Sequence, residues 1–216
     1  MDGVITMDDA RALVGDVKLW PRVRDFLWDF APQVHESWLE PNQLSLKDSP
    51  RVKRYILDSL GVEPCFHTFP KEDGSRILLL DGATLESVAK WLGALACAES
   101  LRRVTSGEVV RGLKSKLRGI YPEVFSYTAY FGEFASRRDA EAQSLQTVVV
   151  EEGYSLLQSV VANLPSPLVA RLKFKLPKGL CASAPLRLEE RPSQTNLSAV
   201  LKLFKLKFPE AYKLCC

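Results

Sequence analysis

Apolar residues recur at helical spacing in one stretch after another of this chain, and prolines and glycines cut the recurrence into short lengths. Val23, Phe26, Leu27, Phe30, Val34 and Trp38 form one such stretch, which Pro21 and Pro32 divide. An internal proline removes a backbone donor and clashes with the preceding turn, so this region is expected as short helices with its aromatic residues in the core. Ser49-Pro50 looks like an N-cap followed by a first-turn proline, and Gly61 like the stop. Between them Val52, Ile56, Leu57 and Leu60 share one face, opposite Arg51, Lys53, Arg54 and Asp58.

Thr84 is expected to cap a stronger helix, with Leu85, Val88, Ala89, Leu92, Leu95 and Ala96 at helical spacing as far as Val104. Its small residues (Ala89, Gly93, Ala94, Ala96, Ala98) permit close approach of a neighbouring helix. Further helices are expected over residues 108–117, from Pro122, and over a long run, 138–163, where Gly153 is a point of bending. Two segments depart from the pattern. Turn chemistry fills residues 62–75, and 76–82 could form one short buried strand or an extended piece. In residues 168–176, Arg171, Lys173 and Lys175 alternate with Leu172, Phe174 and Leu176, and that period of two predicts a strand. Residues 177–194 resemble a linker, and a last helix begins at Ser193 or Thr195 with Leu197, Val200, Leu201, Phe204 and Phe208 on one face. The expected fold is mainly α: a single compact multi-helix domain with at most a short β element and a C-terminal amphipathic helix. Its expected divisions are a helical body (1–176), a linker (177–192) and an end (193–216) that packs on the body or on a partner.

Composition narrows the class. With 46% hydrophobic and 25% charged residues over 216 positions, collagen-like, mucin-like and wholly disordered chains are excluded. No run approaches the ~18 uninterrupted apolar residues of a transmembrane helix. The start, Met1-Asp2-Gly3-Val4, lacks the basic residues and apolar run of a secretory signal, so a cytoplasmic location is expected. The net charge of +3 conceals an asymmetry: from Ser166 onward ten basic residues face three acidic ones, giving +7 there and −4 for the rest. A basic end on an acidic body suggests an anionic partner or contact between the two parts.

Catalytic and metal motifs are missing. There is no phosphate-cradling glycine loop, no dinucleotide fingerprint and no Gly-x-Ser-x-Gly. His35-Glu36 lacks the second histidine of a zinc helix, and five scattered cysteines make neither a disulfide framework nor a zinc knuckle. Cys65 and His67, two apart on an extended segment, are the one conceivable nucleophile–base pair. Glu151-Glu152 are neighbours on a helix and do not face each other, and Cys215-Cys216 is expected as an exposed tail. The chain is therefore expected to be no enzyme, with no catalytic residue, cofactor or metal. A rival expectation is nucleic-acid binding, with the basic C-terminal region and Phe174, Phe204, Phe208 and Tyr212 supplying charge and rings.

Arg171-Leu172-Lys173-Phe174-Lys175-Leu176-Pro177, then Arg191-Pro192 and an amphipathic helix ending near Pro209, resemble the SctK/YscK family of bacterial type III secretion. Leu92-Gly93 followed by Glu99, Leu101, Arg102 and Arg103 is similar to the same family, as is the Leu-Pro-Ser-Pro-Leu run at 164–168. These patches span roughly residues 85–214, and the N-terminal third contributes little. The resemblance implies a non-enzymatic adaptor of the sorting platform. It would join the forkhead-associated-like cytoplasmic domain of the ring protein SctD to the pod protein SctQ, and through it to the stator SctL and the ATPase SctN. It implies no cofactor, no nucleic acid and no membrane insertion, with the protein at the cytosolic face of the inner membrane. Arg171, Lys173, Lys175, Lys202 and Lys205 are the expected partner-binding residues, as charged rims that steer and orient.

Overall fold

The computed structural model describes residues 7–44, 48–63, 65–135, 138–142, 144–179 and 194–216. In chain order the helices are α1 (Met7–Val14), α2 (Trp20–Trp28), α3 (Pro41–Leu44), α4 (Pro50–Ser59), α5 (Gly82–Ala96), α6 (Ala98–Arg102) and α7 (Gly107–Leu117). They continue with α8 (Ile120–Glu123), α9 (Thr128–Phe131), α10 (Leu145–Val161), α11 (Ser166–Lys175), α12 (Gln194–Lys207) and α13 (Pro209–Cys215). Single 3-10 turns lie between several of them, and among the described residues there is no strand. The fold is mainly α, as the helical periodicity and its punctuation imply.

One helix pair forms the axis. α5 and α10 run antiparallel and touch backbone to backbone. A Cβ placed on Gly93 would lie 1.7 Å from the Val149 carbonyl oxygen, and one on Gly153 only 1.8 Å from that of Ala89. Real Cβ atoms do not approach so closely, so both glycines are required by the crossing. Gly153 therefore marks a contact, and α10 runs through it as one continuous helix. Around this contact Leu85, Val88, Leu92, Leu95, Val149, Leu156, Leu157 and Val161 are buried on the two helices.

The other elements attach along this axis. α7 packs near the start of α10, where Gly112 faces the Gln146 side chain. α12 lies along α10 and α5, with Val200, Leu203 and Phe204 buried and Asn196 donating to Ser159 Oγ at 2.8 Å. α13 then folds back onto the 3-10 turn Ser75–Leu79. There Arg76 Nη1 donates to the Leu214 carbonyl at 3.2 Å and Lys71 Nζ to that of Cys216. Of the expected linker, only residues 177–179 lie among those described.

The local expectations differ from the structure at five places, the first being that the helix expected as far as Val104 ends at Ala96, with α6 following as a separate helix. Residues 76–82 are not a strand: Ser75–Leu79 is a 3-10 turn with Ile77, Leu78 and Leu79 buried. α5 is capped by Asp81, whose carboxylate accepts from Thr84 N at 2.7 Å and from Thr84 Oγ1 at 2.8 Å, so Thr84 lies inside the helix it was expected to cap. The long helix begins at Leu145, and residues 138–142 instead cross the end of α5, where Arg138 N donates to the Ala96 carbonyl at 2.9 Å. Finally, residues 166–175 are helix α11. Its buried positions are Leu168, Arg171, Leu172, Phe174 and Lys175, which is helical spacing. Counting Arg171 and Lys175 as surface residues produced the false period of two.

Gly93→Ala and Gly153→Ala are each expected to cost about 3 kcal/mol or more, because backbone atoms must move to admit a methyl group. A loss of that size lowers the melting temperature by roughly 6–12 °C in a chain of this length. Gly107→Ala, where an added Cβ meets nothing within 4 Å, should leave it unchanged or slightly raised. Thermal unfolding of the three variants followed by circular dichroism checks this.

Candidate functional site

Lys175 is 1% exposed and Arg171 2%. Neither is a surface rim charge, which corrects the placement expected for them. Lys175 Nζ donates to the carbonyls of Leu78 at 2.6 Å and Leu80 at 2.8 Å, and lies 4.8 Å from the centre of the Phe26 ring. Those two carbonyls belong to the bend entering α5, and Gly82 next to them leaves room for the Lys175 backbone, whose oxygen would be 2.6 Å from an added Cβ. Burial pulls the Lys175 ammonium down to about 7, with the Asp81 charge opposing and Arg22 reinforcing. Arg171 Nη1 donates to Cys65 Sγ at 2.8 Å and to the Pro167 carbonyl at 3.1 Å. Its guanidinium lies 5.7 Å from the Phe26 ring centre and 5.6 Å from that of Phe30. The two cations join α11 to α2, to the 65–80 segment and to the start of α5.

Lys173 is exposed on the other side of α11. Its ammonium lies 5.3 Å from the Trp38 ring centre, and that of exposed Lys178 lies 5.6 Å from the same ring. Trp38 is fixed in turn by donating to the Leu176 carbonyl at 2.8 Å and by an edge contact with Phe174. Lys202 and Lys205 are exposed on α12, Lys202 at 5.7 Å from the Phe131 ring centre. Lys207 ends the same helix 4.9 Å from the Trp91 ring centre and 5.0 Å from that of Tyr127. Its ammonium donates to Glu123 at 2.6 Å. Burial works against that charge, but the hydrogen bonds to Glu123 and Tyr127 outweigh it and hold the ammonium above its ordinary value. Lys207 was not singled out in the sequence, and it is what anchors α12 to α5 and α8.

The conceivable catalytic pair does not meet. The Cys65 thiol faces Arg171, whereas His67 Nε2 lies 2.8 Å from an Asp73 carboxylate oxygen and its ring stacks edge-on against Phe69. Burial pushes the Cys65 thiol up despite the Arg171 charge and hydrogen bond, the opposite of what an activated nucleophile requires. Cys215 is 3% exposed in α13, with its thiol pushed up to about 12 by burial, so only Cys216 of that pair is an exposed residue. No group of three or more His, Cys, Asp or Glu among the described residues could hold a metal ion. A cavity of about 420 Å³ lies where residues 138–142 cross α6, and its polar groups engage each other. Ser100 Oγ donates to Asp139 at 2.7 Å, which lowers the Asp139 carboxyl, and Arg103 approaches Asp139 at 3.6 Å. Two of the rings expected to stack on bases are in the core, Phe174 at 7% and Phe204 at 0% exposure.

A second basic region lies outside the C-terminal quarter. Residues 102–118 hold six basic residues and one acidic one. Arg102 donates to Thr128 Oγ1 at 2.7 Å, and Arg103 approaches Glu99 at 3.4 Å. Arg111, Lys114, Lys116 and Arg118 are all exposed on or just after α7. The signal was present in the sequence, but the acidic total of the first 165 residues hid it.

Residues 23–123 match the family described as YOP proteins translocation protein K (YscK). Over that span, just under half of the chain, the sequence is similar to the YscK family. No curated protein and no solved structure matches it. The YscK match runs from α2 through α8, so it covers the start of the axis helix pair and all of α7. It includes most of the N-terminal third, which contributes little to the resemblance read from the sequence, and ends before the patches at 164–214. Only the Leu92–Arg103 patch lies in both. The match supports a type III secretion protein of the YscK kind.

Lys175 gives a pH signature. The folded chain releases its proton near 7 while the unfolded chain keeps it to about the ordinary 10.5, so the unfolded state binds more protons between those values. Stability contributed by this group therefore rises with pH above 7, at up to about 1.4 kcal/mol per pH unit, and is flat below. In urea titrations from pH 6 to 10, the stability of the wild type relative to Lys175→Met is expected to increase above pH 7. A difference that stays constant with pH would refute it.

Proposed function

We propose that this type III secretion protein is a non-enzymatic adaptor of the cytosolic sorting platform. It links the cytoplasmic, forkhead-associated-like domain of the inner-membrane ring protein SctD to the pod protein SctQ, and through SctQ to SctL and SctN. The YscK match over residues 23–123 carries this reading. The geometry supports it: a rigid pair of helices in backbone contact holds separate charged surfaces at its two ends, as a bracket needs. The protein acts at the cytosolic face of the inner membrane, and no helix among the described residues is long and apolar enough to cross a membrane. Residues 1–176 act as the body, 177–192 as the linker and 193–216 as the end that holds α12 in place.

Of the five basic residues expected at partner surfaces, Lys173, Lys202 and Lys205 serve as rims. Arg171 and Lys175 act beneath them by fixing the frame. Exposed charges contribute mainly to encounter and orientation, with apolar anchors supplying affinity. Exposed Tyr130 (55%) and Leu206 (38%) are the anchors offered near Lys202 and Lys205.

Co-purification with the SctD cytoplasmic domain and with SctQ of the same organism is the test, and absence of both complexes would end the reading. Lys202→Glu with Lys205→Glu is expected to slow association with one partner about tenfold at low salt, without changing the other. Surface plasmon resonance at two salt concentrations measures it.

A further inference from the structure

α7 carries charge that the rest of the molecule does not use. Its buried side is Leu113 and Leu117, with Gly112 against Gln146 of α10. Arg111 and Lys114, three apart, share one face of α7, Lys116 stands beside that face, and Arg118 follows just past the helix end with φ +43°. All four are exposed, and none of their side chains makes an ion pair or hydrogen bond with a described residue. Several other surface cations do have carboxylate partners, Lys53 with Asp29, Lys90 with Glu86, Lys207 with Glu123 and Lys213 with Glu210, whereas on α7 a run of neighbouring cations has none. The one carboxylate on the ridge is Glu108, in the first turn of α7. Like charges at this spacing repel one another, so the ridge costs the free protein a little stability and nothing inside the chain returns it.

We infer that the α7 ridge is a docking surface for an acidic face of a protein partner. This rests on the adaptor reading and adds to it a surface separate from Lys173, Lys202 and Lys205. Charge complementarity identifies the occupant. From Arg111 to the end of α7 at Leu117 the ridge is about 9 Å long at 1.5 Å per residue, with Arg118 just beyond, a length matched by carboxylates on two successive turns of a partner helix or along one loop. Single-stranded nucleic acid needs rings for its bases to stack on. The nearest rings, Tyr121 and Phe125, stack on each other at 5.6 Å, and the Arg102 guanidinium lies 5.6 Å from the centre of Phe125. An amphipathic membrane contact needs apolar side chains to enter the lipid. Among the described residues the large exposed apolar ones are Met7, Leu13, Val17, Trp28, Leu44, Tyr55, Tyr130 and Leu206, none of them on α7.

The position fits a bracket. Gly112 packs at Gln146 near the start of α10, whereas Gly82 packs at Lys175, close to Lys173 and Trp38. Because α5 and α10 are antiparallel, these are opposite ends of the axis. The distance along α10 from Gln146 to Val160, which lies against Gly74, is about 21 Å. A partner on α7 and one at the Trp38 end can be held at once without meeting.

The experiment uses the full chain with three reversals, Arg111→Glu, Lys114→Glu and Arg118→Glu. A control carries the same change of net charge at other exposed sites, Lys18→Glu, Arg51→Glu and Arg54→Glu. Binding of each is measured to the SctD cytoplasmic domain, to SctQ, to vesicles containing phosphatidylglycerol and to a random-sequence DNA duplex. For one of the two proteins, the α7 variant should associate about tenfold or more slowly than the control at low salt. The difference should shrink at about 0.5 M salt, with melting temperature unchanged. Equal binding of α7 variant and control overturns the inference, as does a loss confined to vesicles or DNA. Failure of the wild type to bind either protein overturns the adaptor reading and this inference together.

Discussion

The backbone contact between Gly93 and Val149, with its counterpart between Gly153 and Ala89, sets the distance at which everything else packs. A carbonyl oxygen occupies the volume where a Cβ would be on each side. At that separation α5 and α10 present one nearly continuous apolar surface, and the shorter helices cover it. None of them is long enough to be stable alone in water. α7 covers one end, α11 and the 65–80 segment the other, and α12 the side, so the order of the surface elements follows from the axis.

The second constraint is the pair of cations beneath α11. Burying a charge costs several kcal/mol unless its donors are satisfied. Lys175 reaches two carbonyls of the bend entering α5 and a ring face; Arg171 reaches a thiol, a carbonyl and two rings, while its buried Nε has no hydrogen-bond partner among the described residues. These partners come from α2, from the 65–80 segment and from α11 itself. A single misplaced element would leave further buried donors unpaired, so the arrangement favours one mutual position of three elements over others of similar apolar burial. The structure thereby separates two roles within one basic sequence patch: Arg171 and Lys175 hold the frame, while Lys173 stays outside with Trp38.

Helices with a clear apolar stripe and a punctuating residue were legible in the sequence, as α4 between Pro50 and Gly61 shows. The start of α10 was not, because residues 138–142 are bound sideways to the end of α5 and to α6 by hydrogen bonds to Ala96 and Ser100. α11 was mistaken for a strand because its periodicity depends on knowing that two cations are buried. The surface charges were partly legible. The C-terminal excess was visible as a block, whereas the α7 ridge was hidden by acidic residues that are distant in space but counted in the same total.

The sequence by itself determined an α-helical chain without a catalytic or metal-binding constellation among its motifs, and small residues on one helix that invite a close neighbour. Periodicity, prolines and glycines act locally, and local rules suffice for that. Only the tertiary structure decided which helix takes up the invitation, which lysines and arginines are inside, and which cations are left without a partner. Burial and pairing depend on residues far apart in the chain, from Gly93 and Val149 to Lys175 and Phe26, and no spacing within a segment encodes them.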